Sequence, residues 1–357
     1  MLARLKITLI LLLSVPISLV ADTQYQVETV AEELNFPWCI TFLPEGGSLV
    51  TELVGQLRHI DRDGQLGAPI TGLPEVFRAG QGGLFDVILD PDFTNNQLLY
   101  LSYAQGNAEA NGTTVARAKL LDNQLSELTV LFTAAPQKYA PLHYGGRLAW
   151  LNGDLLLTTG DGFDFREKAQ STGNHFGKTI RIPVHGDNPS PFSEAPLVWS
   201  YGHRNPQGLT TAESGTVYLH EHGPKGGDEI NIIKPGKNYG WPAITYGMDY
   251  NSAFVSPFTK YKGMQQPIHT WVPSIAPSGL IIYEGDQFPQ WHGDLFVGAL
   301  VDQEVRRIDL ENGEVVGEHA EFPEIKGRIR DIRQAPDGSI YIITDGEAGS
   351  ILRVSAL

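Results

Sequence analysis

One cysteine, Cys39, is all the thiol this 357-residue chain has, so no intrachain disulfide can form and the fold must rest on its core. Cys39 lies in the apolar run WCITFL, where a thiol behaves as a buried, unreactive hydrophobe. Basic residues are scarce: 26 Lys and Arg stand against 41 Asp and Glu, a formal net charge of −15. That deficit argues against nucleic acid and anionic membrane as partners, since both recruit basic surface. Helical periodicity is nearly absent; residues 123–132 are the one weak helical stretch and read equally well as strand. No linker, low-complexity tract or charge run marks a domain boundary, so residues 22–357 are expected to form one domain.

Long hydrophobic runs are missing except at the N-terminus. There Arg4 and Lys6 precede an apolar segment from Ile7 to Val20, and Ala21 suits the last residue before cleavage. The run is short for a membrane span, which needs about 20 residues, and Pro16 interrupts it; a membrane anchor is the competing reading. Residues 1–21 are therefore expected to be an export signal and the mature protein to be periplasmic or secreted. Without them 24 basic residues face 41 acidic ones, a charge of −17.

What the chain has in abundance is turn chemistry, with 39 glycines and 23 prolines. Six times a Gly- or Asn-containing turn leads into a short β-rich run: GGSLVTE, NNQLLYLSY, NGDLLLTTGD, SGTVYLHE, HGDLFVGAL and DGSIYIITD. Copies spaced roughly 45 to 80 residues apart point to radially repeated sheets, an all-β, six-bladed β-propeller of four-stranded antiparallel sheets. Such a ring brings loops of distant blades to one axial mouth. The widest interval, between the fourth and fifth runs, holds NYGWP and a long segment over 246–273, and is expected to be a large loop insertion.

Several motifs carry chemistry. His143 in HYGGRL and Asp161, closing the next β pair, form a loop histidine with a nearby carboxylate, as a general base requires; a satisfied structural histidine is the plain alternative. Gly145 and Gly146 are expected to leave backbone bare for a flat ligand. Gln81 sits among glycines in GQGGLFDVILDPDF, either a ligand contact or a surface turn. Arg204 and Asn205 in YGHRNPQGL, and Arg328 and Arg330 in GRIRD, suit oxygen-rich anionic ligands, because guanidinium forks bind carboxylates bidentately; structural ion pairs are the alternative. Arg328 and Arg330 are two apart, so on a strand both face the same side. HEHGPKGGDE mixes carbonyl-rich turn with Asp228 and Glu229, the oxygen types Ca²⁺ prefers, or is merely a tight acidic turn; its spacing is not that of an EF-hand. NYGWP has a purely packing-based reading, with Trp241 anchoring a glycine turn.

In this order, and together with LNFPWCITFLPEG, PSIAPSG and GALVDQEVRRI, these blocks resemble the soluble pyrroloquinoline quinone (PQQ)-dependent aldose sugar dehydrogenases of the glucose/sorbosone dehydrogenase family. The resemblance spans nearly all of residues 34–353. It implies that His143 takes the anomeric proton of an aldose, supported by Asp161. It further implies that Gln81, His143, Arg204, Asn205, Arg328 and Arg330 hold PQQ, with Arg204 at the quinone oxygens. Ca²⁺ would lie on the carbonyls of Gly223 and Pro224 with Asp228. A second Ca²⁺ is implied on Glu229, the Tyr239 carbonyl and Asp249. His222 replaces a Gln found in some members. Val301 stands where the glucose-specific branch carries a lysine, so the backbone of Leu300, Val301 and Asp302 is expected to substitute and the broader aldose branch is the nearer relative. The implied partners are an aldose and an external electron acceptor (quinone, cytochrome or dye), with the protein a monomer or homodimer. Two other functions compete: a calcium-dependent lactonase or esterase propeller, and a non-catalytic carbohydrate- or protein-binding propeller.

Overall fold

A computed structural model describes residues 24–184, 192 and 197–357; the export-signal segment 1–21 lies outside them. Among the described residues twenty-four strands form six four-stranded antiparallel sheets, each in simple up-and-down order. Blades one to five occupy residues 37–69, 84–133, 148–201, 206–271 and 277–321 in turn. Blade six takes its three inner strands from 329–356 and its outermost from Tyr25–Leu34. That last strand pairs antiparallel with Gly349–Ala356, from Tyr25 opposite Ala356 to Leu34 opposite Gly349, so the two ends of the chain close the ring.

The six recurrent turn-and-strand runs are the second strand of each blade: Ser48–Glu52, Leu98–Gly106, Asp154–Thr159, Val217–Glu221, Leu295–Ala299 and Ile340–Thr344. Each has a sheet neighbour on either side and packed blades above and below, so almost every side chain is buried. A strand covered on both faces reads as a continuous apolar run. The outermost strand of blade two, Gln124–Thr133, is mostly exposed instead. This is the stretch with ambiguous periodicity, and it is strand.

The innermost strands start at Pro37, Leu84, Leu148, Pro206, Pro277 and Ile329 and surround the axis. An ionic chain plugs it. Arg333 bridges Asp86 (3.0 Å) and Asp331 (2.9 Å), and Asp331 in turn holds Arg147 (3.0 Å), whose guanidinium lies 3.9 Å over the Trp38 ring. Both aspartates are buried, and stripping one partner from such a pair costs about 3–5 kcal/mol. The Cys39 thiol donates to Asp86 at 2.7 Å, and burial pushes its pKa well up, as an inert thiol requires.

Between the third (Asp228–Ile233) and fourth (His269–Trp271) strands of blade four runs the long insertion. It brings Trp241, Asp249 and Tyr250 to the wall of a cavity that also contains His143. Among the described residues no helix is long and apolar enough to cross a membrane.

Candidate active site

The loop joining blades two and three delivers His143, which adopts a left-handed backbone (φ +49°). That conformation costs a non-glycine residue about 1–3 kcal/mol. Gln81 holds it there, its Oε1 accepting the His143 N–H at 2.7 Å. Gly145 and Gly146 follow at φ +68° and +99°. A Cβ on either would press into Thr158 O (2.6 Å) or the Phe85 ring (2.7 Å). These glycines permit the turn and its close packing, rather than leaving a face bare for a ligand as expected.

His143 Nδ1 meets Asp161 Oδ1 at 2.7 Å, with both residues buried. Asp161 accepts two further donors, the Phe163 N–H and the Trp241 indole N–H, each at 2.8 Å. A carboxylate gripped this way accepts the Nδ1–H of His143, leaving Nε2 as the basic nitrogen. Burial holds the His143 pKa below its ordinary value, Asp161 opposes this, and Arg204 and Lys138 add to the depression. The neutral imidazole, edge-on to Phe163 at 5.1 Å, lines a cavity of about 280 Å³.

Around the mouth lie Arg204 and, in a separate hydrogen-bonded arc, Arg330 and Arg328. Arg204 donates to the carbonyls of Gly223 (2.7 Å) and His222 (3.1 Å) and to the Tyr250 hydroxyl (3.3 Å). Asn205 Oδ1 accepts the Gly145 N–H at 3.3 Å. Gln207 donates to Gly145 O (3.2 Å) and accepts from Arg330 (3.3 Å). Arg330 and Arg328 share one oxygen of Asp345, at 3.3 and 3.2 Å, so their two-residue spacing does place them together. Arg328 also donates to Leu300 O at 3.1 Å. Arg328 and Arg330 therefore share the single carboxylate of Asp345, and the buried Arg330 Nε has no partner among the described residues; Arg204 forms no ion pair there, although Asp161, Asp164 and Asp249 line the same cavity.

The segment 300–302 contributes less than expected. The N–H groups of Leu300 and Val301 are spent on Ala276 O and Ile275 O, both at 3.0 Å, and Asp302 pairs with Arg306 at 2.9 Å. Its one link to the arc is the Leu300 carbonyl.

The presumed calcium loop divides. The Gly223 carbonyl already carries a cationic group, the Arg204 guanidinium, and Pro224 lines the same cavity as His143. Asp228 is otherwise employed: its two oxygens accept Gly223 N–H (2.8 Å), Ser274 Oγ–H (2.6 Å), Ile275 N–H (2.9 Å) and Ala276 N–H (3.0 Å). It is a buttress tying the loop to blade five. Glu229 and Tyr239 line a hole of about 10 Å³ with Glu221; burial and then the Glu221 carboxylate raise the Glu229 pKa. Asp249 is not among its lining residues. It pairs with Arg166 at 3.2 Å at the edge of the His143 cavity. His222 is pinned by Nε2–H to Pro277 O at 2.6 Å, its pKa driven well down by burial. Among the described residues no three His, Cys, Asp or Glu side chains cluster to hold a metal.

Residues 34–353 match the family described as Glucose / Sorbosone dehydrogenase. The chain belongs to the glucose/sorbosone dehydrogenase family. It is 40% identical to the aldose sugar dehydrogenase YliI of Escherichia coli over 94% of each chain. A crystal structure of a glucose dehydrogenase superposes with a TM-score of 0.89 at 40% identity, over 93% of this chain and all of that one. The PQQ-bound aldose sugar dehydrogenase of Streptomyces coelicolor superposes with a TM-score of 0.77 at 26% identity, over 94% of this chain and 99% of that one.

Within this dehydrogenase frame, several residues were missed from the sequence. Trp241, read as a packing anchor, donates to the carboxylate that holds His143. Gln207 and Asp345 link the arginines. Arg147 supports the arc from the axis, donating to Gln207 O (2.7 Å) and Arg330 O (3.1 Å). Gln207 lies within the quoted GHRNPQGL block and could have been singled out; Trp241 and Asp345 carry no local signal. Behind Arg204, Ser200, His203 and Glu221 are joined at 2.8 Å per contact. That chain resembles a hydrolytic triad, but Ser200 and His203 have no exposed surface.

Proposed function

We propose that this protein oxidises aldose sugars at the anomeric carbon to lactones, using PQQ and Ca²⁺ and passing electrons to an external acceptor. The observation that carries the reading is the His143–Asp161 pair sharing a cavity with Arg204 and linked, through Gly145 and Gln207, to Arg330, which divides one carboxylate with Arg328. A flat cofactor with three carboxylates and an ortho-quinone suits guanidiniums so placed, and the buried, unpartnered Arg330 Nε is a donor left for it. The PQQ-bound relative supports the same cofactor.

Arg204, Arg328 and Arg330, with Asn205 and Gln81 beside them, would hold PQQ, and the Gly223 and Pro224 carbonyls would hold Ca²⁺. When bound, these groups supply a two-electron acceptor polarised by a hard cation. The protein's own task is proton removal. Nε2 of His143 takes the anomeric hydroxyl proton while hydride leaves the same carbon, so the sugar loses two electrons and two protons. Asp161 stabilises the imidazolium that forms, and Trp241 and Phe163 keep Asp161 in place. Arg204, without an ion-pair partner, is the group suited to steadying developing oxyanion charge.

The lactonase reading needs several free axial carboxylates or amides around a metal. Here the axial Asp86 and Asp331 are neutralised by Arg333 and Arg147. A binding-only propeller leaves the His143–Asp161 pair unexplained. Residues 22–357 acting as an exported, periplasmic or secreted enzyme complete the proposal.

The test is dye-linked aldose oxidation by purified protein with PQQ and Ca²⁺ together, singly and absent, alongside titration of PQQ uptake. Activity only with both establishes the reading. No turnover on a broad aldose panel and no PQQ uptake overturn it.

A further inference from the structure

Two lysines are buried near the base. Lys138 and Lys178 are almost without exposed surface, and neither lies within ion-pair distance of a carboxylate among the described residues. Their ammonium groups are held by neutral oxygens. Lys178 donates to the carbonyls of Ala169 (3.0 Å) and Lys168 (3.3 Å), at the end of the short 3₁₀ helix Arg166–Gln170, and to that of Phe176. That is a sufficient structural role. Lys138 donates to Asn111 Oδ1 (3.2 Å) and Ala140 O, and stands 3.5 Å over the Tyr144 ring. Two neutral oxygens and one ring are modest compensation for burying a charge.

Position supplies the reason for a charge. The Lys138 stem packs against Gly162, where an added Cβ would lie 2.7 Å from Lys138 Cδ. The ammonium, on Ala140 O and over the ring of Tyr144, stands beside the loop that carries His143, while its stem meets the Asp161–Phe163 turn that grips the imidazole. We propose that Lys138 is a positioning residue whose buried charge opposes protonation of His143, keeping the imidazole available as a base. The inference rests on the proposed role of His143. Burial lowers the Lys138 pKa to about 7, and Asp161 is the charge that opposes this. For His143, Asp161 favours protonation while Arg204 and Lys138 disfavour it. Asp164, Arg166, Asp249 and Tyr250 line the same cavity.

The test uses the full-length protein and two readouts. The first is NMR titration of isotope-labelled histidine without substrate, which does not depend on activity. In Lys138→Met and Lys138→Gln the His143 titration should move up by roughly half to one pH unit, while Lys138→Arg leaves it near wild type. Lys138→Gln keeps a donor for Ala140 O should the methionine variant misfold. The wild-type protein tests the idea without any substitution: His143 signals should register a second step near pH 7 as Lys138 loses its proton. The second readout is the pH profile of kcat/KM for dye-linked aldose oxidation. Its acid limb should move up in the Met and Gln variants with the high-pH plateau kept. An unmoved His143 titration in both variants, or no second step in wild type, overturns the proposal. A shifted NMR titration in a protein that oxidises no aldose would sink the dehydrogenase reading and leave the Lys138–His143 coupling standing.

Discussion

Asp161→Asn is the most searching substitution, because three donors converge on that carboxylate. Oδ1 accepts from His143 Nδ1 and Phe163 N, and Oδ2 from Trp241 Nε1. An asparagine has one accepting oxygen. With it toward His143, the NH₂ confronts the Trp241 N–H; flipped, it confronts the Phe163 N–H and presses His143 into the wrong tautomer. Either pose leaves a buried donor unmet, worth about 1–3 kcal/mol of stability. The rate loss has a different origin, the missing charge opposite the nascent imidazolium. At a centre-to-centre separation of about 4 Å and an effective dielectric near 20, that charge contributes about 4 kcal/mol. Only part of the imidazolium charge has developed in the transition state, so kcat should fall roughly 10²- to 10³-fold. The two effects separate in a double variant. Trp241→Phe added to Asp161→Asn removes the clashing donor, restoring melting temperature but not rate. Because Asp161 favours the protonated imidazole, the acid limb of kcat/KM should also move down in Asp161→Asn. Thermal melts and stopped-assay kinetics across pH decide it. A rate within ten-fold of wild type would refute the account of Asp161.

His143→Ala should abolish turnover while PQQ uptake, followed by titration, survives; full activity would end the assignment of the base. Arg330→Ala should weaken PQQ binding about 10- to 100-fold through loss of a charge-assisted contact, read as the midpoint of a PQQ reconstitution curve. Glu229 has a folded pKa raised to about 8 by burial and by Glu221. Its stabilising contribution is therefore full below the ordinary carboxylate pKa and is lost as pH rises toward 8. Without added calcium, Glu229→Gln should melt higher than wild type at pH 8 and no higher at pH 4. A pH-independent difference would contradict the raised value.

The architecture was legible because the doubly covered second strand of every blade must be apolar throughout, and the turns that open them need Gly or Asn. The motif blocks likewise singled out His143, Asp161, Gln81 and the arginines, and the fold joins His143 to Asp161 and Gln81, and Arg328 to Arg330 through Asp345. Sequence alone stops where hydrogen-bonding capacity must be counted. Asp228 looks like a calcium ligand until four donors are found on its two oxygens. Trp241 looks like packing until its N–H meets Asp161, 80 residues away. Asp249, the axial Arg147–Asp331 pair and the charge of Lys138 have meaning only through partners brought by other blades or by the insertion. A residue type states what a group is able to bind, but the closed ring decides which partners reach it and whether any capacity remains for a ligand.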